Sequence, residues 1–321
     1  MAPTQQVSIL PSNQNPLGAL PARFRRERLL IVGYGDVGQR VAGLLSKAHG
    51  DRRAVRILAL SRNADRVELL RAQGVAPLAG DLDRPASLRR LAGIATRVLH
   101  LAPPPALSPD DVCDGRTAAL LGSLLRSSLP RSMVYASTSG VYGDCQGQWV
   151  AETRPVAPAT ARARRRVDAE RAIRSAGHRG LHASILRIPG IYAPDREGGT
   201  PRARLLRGTP ALQAGDDVYT NHIHADDLAR ACLRALWRGG PQRIYHASDD
   251  TELKMGDYFD LAADLYGLPR PQRIGREQAR AELPASLLSF MSESRRLTNR
   301  RLKQELKLKL RYPTVAQGLK A

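Results

Sequence analysis

Three glycines with the spacing G-x-G-x-x-G are the residues of this 321-residue chain that point most directly to chemistry. They are Gly33, Gly35 and Gly38, and they follow the apolar run at residues 29–32. At a turn from strand to helix, the first glycine permits the tight turn and the second lets backbone approach a pyrophosphate. The third lets the helix pack closely on the strand. Phosphates would bind the free N–H groups at the helix start. The pattern therefore predicts a dinucleotide-binding turn.

The residues after the next apolar run, 55–60, indicate which dinucleotide binds. They are Ser61 and Arg62, and Arg40 lies just inside the first helix. An acid at this place would accept hydrogen bonds from a ribose 2′-hydroxyl and repel a 2′-phosphate. A guanidinium makes charge-assisted, bidentate contacts with phosphate. The pattern favours NADP over NAD, and NAD stays open because arginine is abundant throughout the chain.

Asp81 follows the third predicted strand, at residues 75–78. Its carboxylate could accept a hydrogen bond from the adenine amino group of the cofactor. Alternatively it only caps the helix that follows, as aspartate commonly does. Both roles place Asp81 at the same end of the predicted sheet as the glycine turn.

Apolar runs alternate with helical patterns along most of the chain, which predicts an α/β fold with a doubly wound parallel sheet. Further strands are expected at residues 97–102, 132–137, 183–188 and 243–247. We expect a dinucleotide-binding domain at 27–189, to which 222–248 returns, and a smaller substrate lobe at 190–221 and 249–321. Ligands should bind between them, beyond the carboxyl ends of the strands.

The net charge of +20 invites a nucleic-acid interpretation, but aromatic residues make up only 4% of the chain. Stacking platforms for bases are therefore scarce, and no known DNA-binding motif is recognisable. We expect a small-molecule substrate and no nucleic-acid partner. The densest basic run, residues 162–166, is interpreted as a solvated helix start.

Other features of the composition indicate a cytoplasmic protein. The sequence has no apolar stretch of about 18 residues, so no membrane span is expected. The three cysteines, Cys113, Cys145 and Cys232, lie far apart without metal-ligand spacing, so no metal site is predicted. Residues 1–26 lack any acid and are rich in Gln, Asn, Pro and Ser, which predicts a disordered N-terminal extension.

The order of these motifs resembles the short-chain dehydrogenase/reductase superfamily, most of all its extended NAD-dependent epimerase/dehydratase family. The resemblance implies a Rossmann-type sheet with a smaller C-terminal substrate lobe. It adds Asp36, Val37, Leu82, Leu101 and Ala102 to the expected cofactor contacts. The matching segments are 33–38, 80–83, 98–102, 135–144, 186–194 and 223–229.

The resemblance also implies catalytic positions, of which this chain retains only part. Thr138 matches the Ser or Thr that orients a substrate oxygen in the family, although it could simply end the fifth strand. The family's acid/base pair, Tyr-x-x-x-Lys, has no match, because residues 158–170 contain neither tyrosine nor lysine. Aligning Glu170 with the usual glutamate puts Arg162 and Arg166 at those two positions. Arg166 could hold the nicotinamide ribose, whereas Arg162 stays protonated and cannot serve as a proton donor.

Replacement acid/base groups are conceivable on loops that should open toward the cleft. Thr138 and Tyr142 are the catalytic candidates; alternatively Tyr142 packs in a wall. Four further residues could transfer protons, although a purely structural role such as wall packing or helix capping is favoured for each: Asp144, Tyr192, His222 and His224.

Two functions follow. The first is an NADP-dependent oxidoreductase, epimerase or dehydratase acting on a hydroxyl or carbonyl substrate, with sugar nucleotides as one class. The alternative is a non-catalytic module that senses the ratio of NADP to NADPH.

Overall fold

The computed structural model describes residues 27–49, 55–106 and 111–321. The predicted N-terminal extension, residues 1–26, lies outside the described residues. In the described part, no helix is long and apolar enough to cross a membrane.

A seven-stranded parallel sheet forms the centre of the protein and confirms the predicted Rossmann-type fold. Its strands are β1 (Glu27–Val32), β2 (Val55–Ser61), β3 (Ala76–Ala79), β4 (Arg97–His100), β5 (Ser132–Thr138), β6 (Ala183–Ile188) and β7 (Arg243–His246). Their order across the sheet is β3-β2-β1-β4-β5-β6-β7. The chain reverses direction of winding between β1 and β4, and ligands of such sheets bind at this switch point.

Helices cover both faces of the sheet and continue beyond it. They are α1 (Asp36–His49), α2 (Val67–Ala72), α3 (Gly115–Leu124), α4 (Ala161–Gly177), α5 (Arg202–Leu206), α6 (Ala225–Arg238), α7 (Met255–Tyr266), α8 (Arg276–Glu282), α9 (Ala285–Phe290), α10 (Arg300–Gln304) and α11 (Val315–Gly318). Short 3-10 turns occur at Ala64–Arg66, Pro85–Leu91 and Ser139–Tyr142.

Two buried clusters sandwich the sheet because successive residues of each strand point to opposite faces. Leu29 and Ile31 of β1 pack in one cluster with Val41 of α1. Leu30 and Val32 pack in the other. Strands buried on both faces read as continuous apolar runs, which explains why they could be located from the sequence.

A third cluster is built from the chain beyond β6. Leu205, Val218, Tyr258 and Phe259 are among its buried members. Three short strand pairs lie in this region: Gly190–Tyr192 with His222–His224, Ala211–Leu212 with Arg273–Ile274, and Tyr219–Thr220 with Leu253–Lys254. A further pair, Trp149–Val150 with Arg296–Leu297, belongs to a separate small cluster that contains Val150 and Leu297. Leu302, on α10, packs instead in the cluster beside α1. The segment around α10 therefore lies against the main sheet.

Candidate functional site

The three glycines of the turn each meet the requirement that their spacing predicts. Gly33 has φ +92°, and a Cβ there would lie 2.5 Å from the backbone nitrogen of Ala102. A Cβ on Gly38 would approach Gly33 O and Ile31 Cγ2 at 3.3 Å, because α1 packs closely on β1. A Cβ on Gly35 would meet nothing within 4 Å. The backbone at Gly35 is thus bare toward open space, as close approach of a pyrophosphate requires.

A cleft of about 480 Å³ opens at this turn, beyond the carboxyl ends of the central strands. We call it the nucleotide cleft. It brings together most of the predicted cofactor contacts, and its lining includes Gly33, Gly35, Asp36, Val37, Gly38, Leu101, Thr138 and Arg166. Ala102 supports the cleft from behind, since its backbone packs on Gly33. Ser61, Arg62, Asp81 and Leu82 do not line it.

These four residues lie at the ends of β2 and β3, where the predicted adenosine end would bind. The Arg62 side chain is exposed. The Ser61 hydroxyl is engaged in its own turn, donating to Asn63 O at 3.0 Å. Asp81 Oδ1 accepts the N–H of Asp83 at 3.0 Å, so its carboxylate caps the turn. Leu82 is half-buried against the sheet. The adenine contact of Asp81 remains a prediction.

Asp36 puts a carboxylate beside the phosphate-binding turn, and two guanidinium groups offset its charge. Arg196 Nη1 lies 2.7 Å from Asp36 Oδ2, and Arg40 Nε lies 3.1 Å from Oδ1. Arg40 also pairs with Asp226 at 2.5 Å and Asp195 at 2.7 Å. Three carboxylates thus hold the Arg40 guanidinium, and its contact with a 2′-phosphate stays a prediction.

Arg66 makes a contact with the glycine turn that the sequence pattern did not indicate. Its Nη2 donates to Tyr34 O at 3.0 Å, inside the glycine turn. Arg66 lies four residues after Arg62, at the step from a 3-10 turn to α2. That spacing could have indicated it, but arginine is too abundant in this chain for spacing alone to be informative.

The basic run at 162–166 is not simply a solvated helix start. Arg165 is buried, and its Nη1 donates to Asp111 O at 2.7 Å. Arg166 Nη1 donates to Ala136 O at 2.6 Å and to the Tyr135 hydroxyl at 3.1 Å. Arg162, Arg165 and Arg166 all line the nucleotide cleft, because Thr160 starts α4 and aims its first turn there.

A second, larger cavity of about 740 Å³ adjoins the nucleotide cleft. We call it the substrate cavity. Both are lined by Thr138, Arg162, Pro189, Ile191 and Arg196. Thr138 ends β5 and its hydroxyl accepts the N–H of Gly140 at 3.3 Å. Thr138 thus stands where the two spaces meet, as its family match implies. Residues that line only the substrate cavity include Arg204, His222, Met255, Tyr258, Phe259, Phe290, Glu293 and Arg295.

The structure places Tyr142 outside both spaces, contrary to its selection as a catalytic candidate. It is 1% exposed, and its hydroxyl accepts from Arg187 Nη1 at 2.6 Å. Because His246 Nδ1–H donates to Thr298 O at 2.9 Å, its Nε2 accepts the Tyr142 hydroxyl proton at 2.6 Å. Burial raises the pKa of Tyr142 to about 12, against the opposing effect of Arg187. Tyr142 is a fully bonded core residue.

Among the other proton-transfer candidates, only His222 lines the substrate cavity. Asp144 Oδ1 accepts two backbone N–H groups, and Tyr192 donates to Thr314 O at 3.3 Å. His224 caps α6, with Nδ1 accepting from Asp226 N at 3.2 Å. His222 is 7% exposed and burial lowers its pKa to about 4, so it is neutral at physiological pH. Within the described residues, no group of three or more His, Cys, Asp or Glu side chains could hold a metal ion.

The parallel sheet, the bare glycine turn and the cleft at the switch point define an NAD(P)-binding protein of the Rossmann type. Comparison with known proteins then gives the family. Residues 29–247 match the model of the NAD dependent epimerase/dehydratase family, and the chain belongs to it. No curated protein sequence matches the chain.

Solved structures share the fold over nearly the whole chain. A functionally unknown conserved protein from Silicibacter pomeroyi is 32% identical, with TM-score 0.75 and coverage of 92% of this chain and 97% of the other. A nucleoside-diphosphate-sugar epimerase from Pseudomonas aeruginosa is 20% identical, with TM-score 0.74 and coverage of 92% and 95%. A dTDP-glucose 4,6-dehydratase from Streptomyces venezuelae, solved with NAD, is 22% identical, with TM-score 0.71 and coverage of 91% and 94%.

Proposed function

We propose that this protein is an NADP(H)-dependent oxidoreductase, epimerase or dehydratase acting on a hydroxyl or carbonyl compound. The observation that carries the proposal is the meeting of two spaces at Thr138. One is lined by the glycine turn and the other by the third cluster. When bound, the cofactor would supply a hydride donor or acceptor. The Thr138 hydroxyl would hold the reacting oxygen at the boundary between the two spaces.

The choice of NADP rests on charge at the end of β2. Arg62 is exposed there, and the strand ends without an acid that would repel a 2′-phosphate. Arg166, whose side chain lines the cleft, would lie beside the nicotinamide ribose. Sugar nucleotides are included among the candidate substrates because the Pseudomonas and Streptomyces structures have such substrates in their names.

A second candidate function is a redox-sensing module. It is favoured by one observation: the described residues that line the nucleotide cleft include no tyrosine, lysine, histidine or cysteine. The family's usual acid/base therefore has no substitute at that place. A sensor would need different affinities for NADP and NADPH, because a ligand shifts states only by differential affinity.

The test has two stages. Calorimetric titration with NADPH, NADP and NADH should give the tightest binding for the phosphorylated cofactors. Incubation with a panel of sugar nucleotides and simpler hydroxy and keto compounds, followed by absorbance at 340 nm and NMR, should then reveal turnover. Failure to bind any of the dinucleotides would overturn the proposal. Tight NADP(H) binding without turnover on the panel would instead support the sensor.

A further inference from the structure

Arg204 lines the substrate cavity without a counter-ion. It lies on α5, is half-buried, and forms no ion pair with any carboxylate of the described residues. Its guanidinium carbon lies 5.9 Å from the centroid of the Phe259 ring, which covers one side of it. Burial and the neighbouring Arg207 both lower the pKa of Arg204. Burying a cation in part without a counter-ion costs free energy, and an anion bound beside Arg204 would offset that cost.

Two of the other arginines that line the cavity already pair with carboxylates. Arg196 pairs with Asp36 at 2.7 Å. Arg295 Nη1 lies 2.8 Å from Glu293 and donates to Gly143 O at 2.7 Å. Arg162 also lines the cavity without an ion pair in the described residues, but it is exposed and lies over the Phe290 ring. Arg204 is thus the partly buried cation beside Phe259.

Two neutral hydrogen-bonding groups stand beside Arg204, and neither is satisfied within the described residues. The His222 ring forms no hydrogen bond, and its Nδ1 is buried without a partner. The Tyr258 hydroxyl likewise has no hydrogen-bond partner there, although the residue is 8% exposed. Buried polar groups in proteins are nearly always paired, so the unpaired His222 nitrogen, with the unpaired but more accessible Tyr258 hydroxyl on the same wall, indicates that a ligand completes this surface.

These groups form a continuous surface. The His222 and Tyr258 rings lie 4.3 Å apart between centroids, and Tyr258 and Phe259 lie 5.9 Å apart. Phe259 in turn contacts Arg204. All of them line the substrate cavity and none lines the nucleotide cleft, whereas Thr138 lines both. The surface therefore faces a part of the substrate other than the group held at Thr138.

We propose that Arg204, His222 and Tyr258 form an oxyanion subsite that binds a carboxylate or phosphate group of the substrate. The guanidinium supplies charge-assisted hydrogen bonds, which are the strong ones, and the imidazole and phenol each donate one more. Met255 and Phe259 flank the subsite with apolar surface. The inference rests on the proposed function in treating the ligand as the substrate. The subsite restricts the candidate substrates to hydroxy or keto compounds that carry a carboxylate or phosphate group away from the reacting carbon.

The experiment uses the full chain without cofactor and two probes, inorganic phosphate and succinate, at constant ionic strength set with chloride. Calorimetric titration should show saturable binding of at least one probe, and the tighter one identifies phosphate or carboxylate as the group recognised. Arg204→Gln should weaken that binding about tenfold or more, as expected for loss of charge-assisted hydrogen bonds. Tyr258→Phe, which removes one hydroxyl, should weaken it by a smaller factor.

Arg207→Gln is the matched control, because Arg207 is exposed, lies just past the end of α5 and does not line the cavity. It should weaken binding far less than Arg204→Gln, because the Arg207 side chain acts on the subsite only through its charge and does not line the cavity. The proposal is overturned if neither probe binds, if Arg204→Gln has no effect in a protein with unchanged melting temperature, or if Arg207→Gln weakens binding equally. If Arg204→Gln does not fold, Tyr258→Phe tests the proposal, and unchanged probe binding in that variant overturns it. NADPH affinity, measured separately, tests the proposed function alone.

Discussion

Gly35 shows how a single residue can serve ligand binding without serving the fold. Gly33 and Gly38 are restricted by contacts inside the protein, whereas the space around Gly35 is open. The same spacing pattern therefore contains two glycines that the fold requires and one, Gly35, that we expect to serve phosphate binding alone. A substitution can separate these roles.

We expect Gly35→Ala to weaken NADPH binding by about tenfold or more while changing the melting temperature little. The added methyl group meets no protein atom within 4 Å but projects where the pyrophosphate must approach. Gly43→Ala on α1 is the control, since a methyl group there also meets nothing within 4 Å. It should stabilise the helix by up to about 1 kcal/mol and leave NADPH affinity unchanged. Equal affinities in both variants would show that the phosphates bind elsewhere.

We expect Arg62 to distinguish NADPH from NADH through the 2′-phosphate. We expect Arg62→Gln to weaken NADPH binding by about tenfold, since a hydrogen bond to a charged group contributes ~1.5–3 kcal/mol, and to leave NADH binding unaltered. Arg56→Gln removes an exposed arginine from the same strand and should alter neither affinity. A parallel loss of NADPH and NADH affinity in Arg62→Gln would contradict this assignment.

At the scale of elements, α6 ties the end of the chain to the main sheet through one buried carboxylate. Asp227, in the first turn of α6, is fully buried and accepts the backbone N–H groups of Arg311 and Tyr312 at 2.8–2.9 Å. It also pairs with Arg230 at 2.6 Å. The contact joins the start of α6 to the segment between α10 and α11.

We expect Asp227→Ala to lower the free energy of unfolding by about 2–4 kcal/mol, because two backbone N–H groups lose a fully buried, charged acceptor. Arg230→Ala, which removes the partly exposed partner, should cost about 1 kcal/mol or less. Urea denaturation of both variants measures the difference. Similar losses would mean that the ion pair, and not the backbone contact, holds the segment.

The elements themselves were largely predictable, whereas their side-chain partnerships were not. The apolar run at 183–188 coincides with β6, because a strand buried on both faces leaves a local signal. Tyr142 was selected on local grounds, but its partners Arg187 and His246 are 45 and 104 residues away.

The substrate side of the site was predictable only in part. Thr138 was found because it belongs to a contiguous motif. Arg204 and Tyr258 were missed, because their significance lies in having no partner in the described structure, which no local pattern records. Arg196 was missed for a different reason, because its partner Asp36 lies 160 residues away in the sequence.

At the scale of the whole molecule, buried histidines make stability depend on pH. Burial lowers the pKa of His100 and His246 to about 3 and that of His222 to about 4, below the ordinary 6.5. The unfolded chain therefore binds more protons than the folded one below pH 6.5. The stability that these neutral histidines contribute is present above pH 6.5 and is lost as pH falls through the folded values.

Asp249 acts in the opposite sense, because burial raises its pKa to about 7. The stability that the protonated Asp249 carboxyl contributes is present at low pH and is lost as pH rises through about 7.

We expect the free energy of unfolding, measured in urea, to fall between pH 6.5 and 5 at up to ~1.4 kcal/mol per pH unit for each histidine. Asp249→Asn should steepen this fall by removing the compensating group. A flat profile in both proteins would contradict the burial of neutral histidines.

The most direct test of the account is a crystal structure of the protein with NADPH. We predict the pyrophosphate over Gly35 at the start of α1, the 2′-phosphate at Arg62, and the nicotinamide beside Thr138 facing the substrate cavity. A nucleotide bound away from the glycine turn, or a nicotinamide directed away from the substrate cavity, would contradict the central claim that the two spaces form one reactive site.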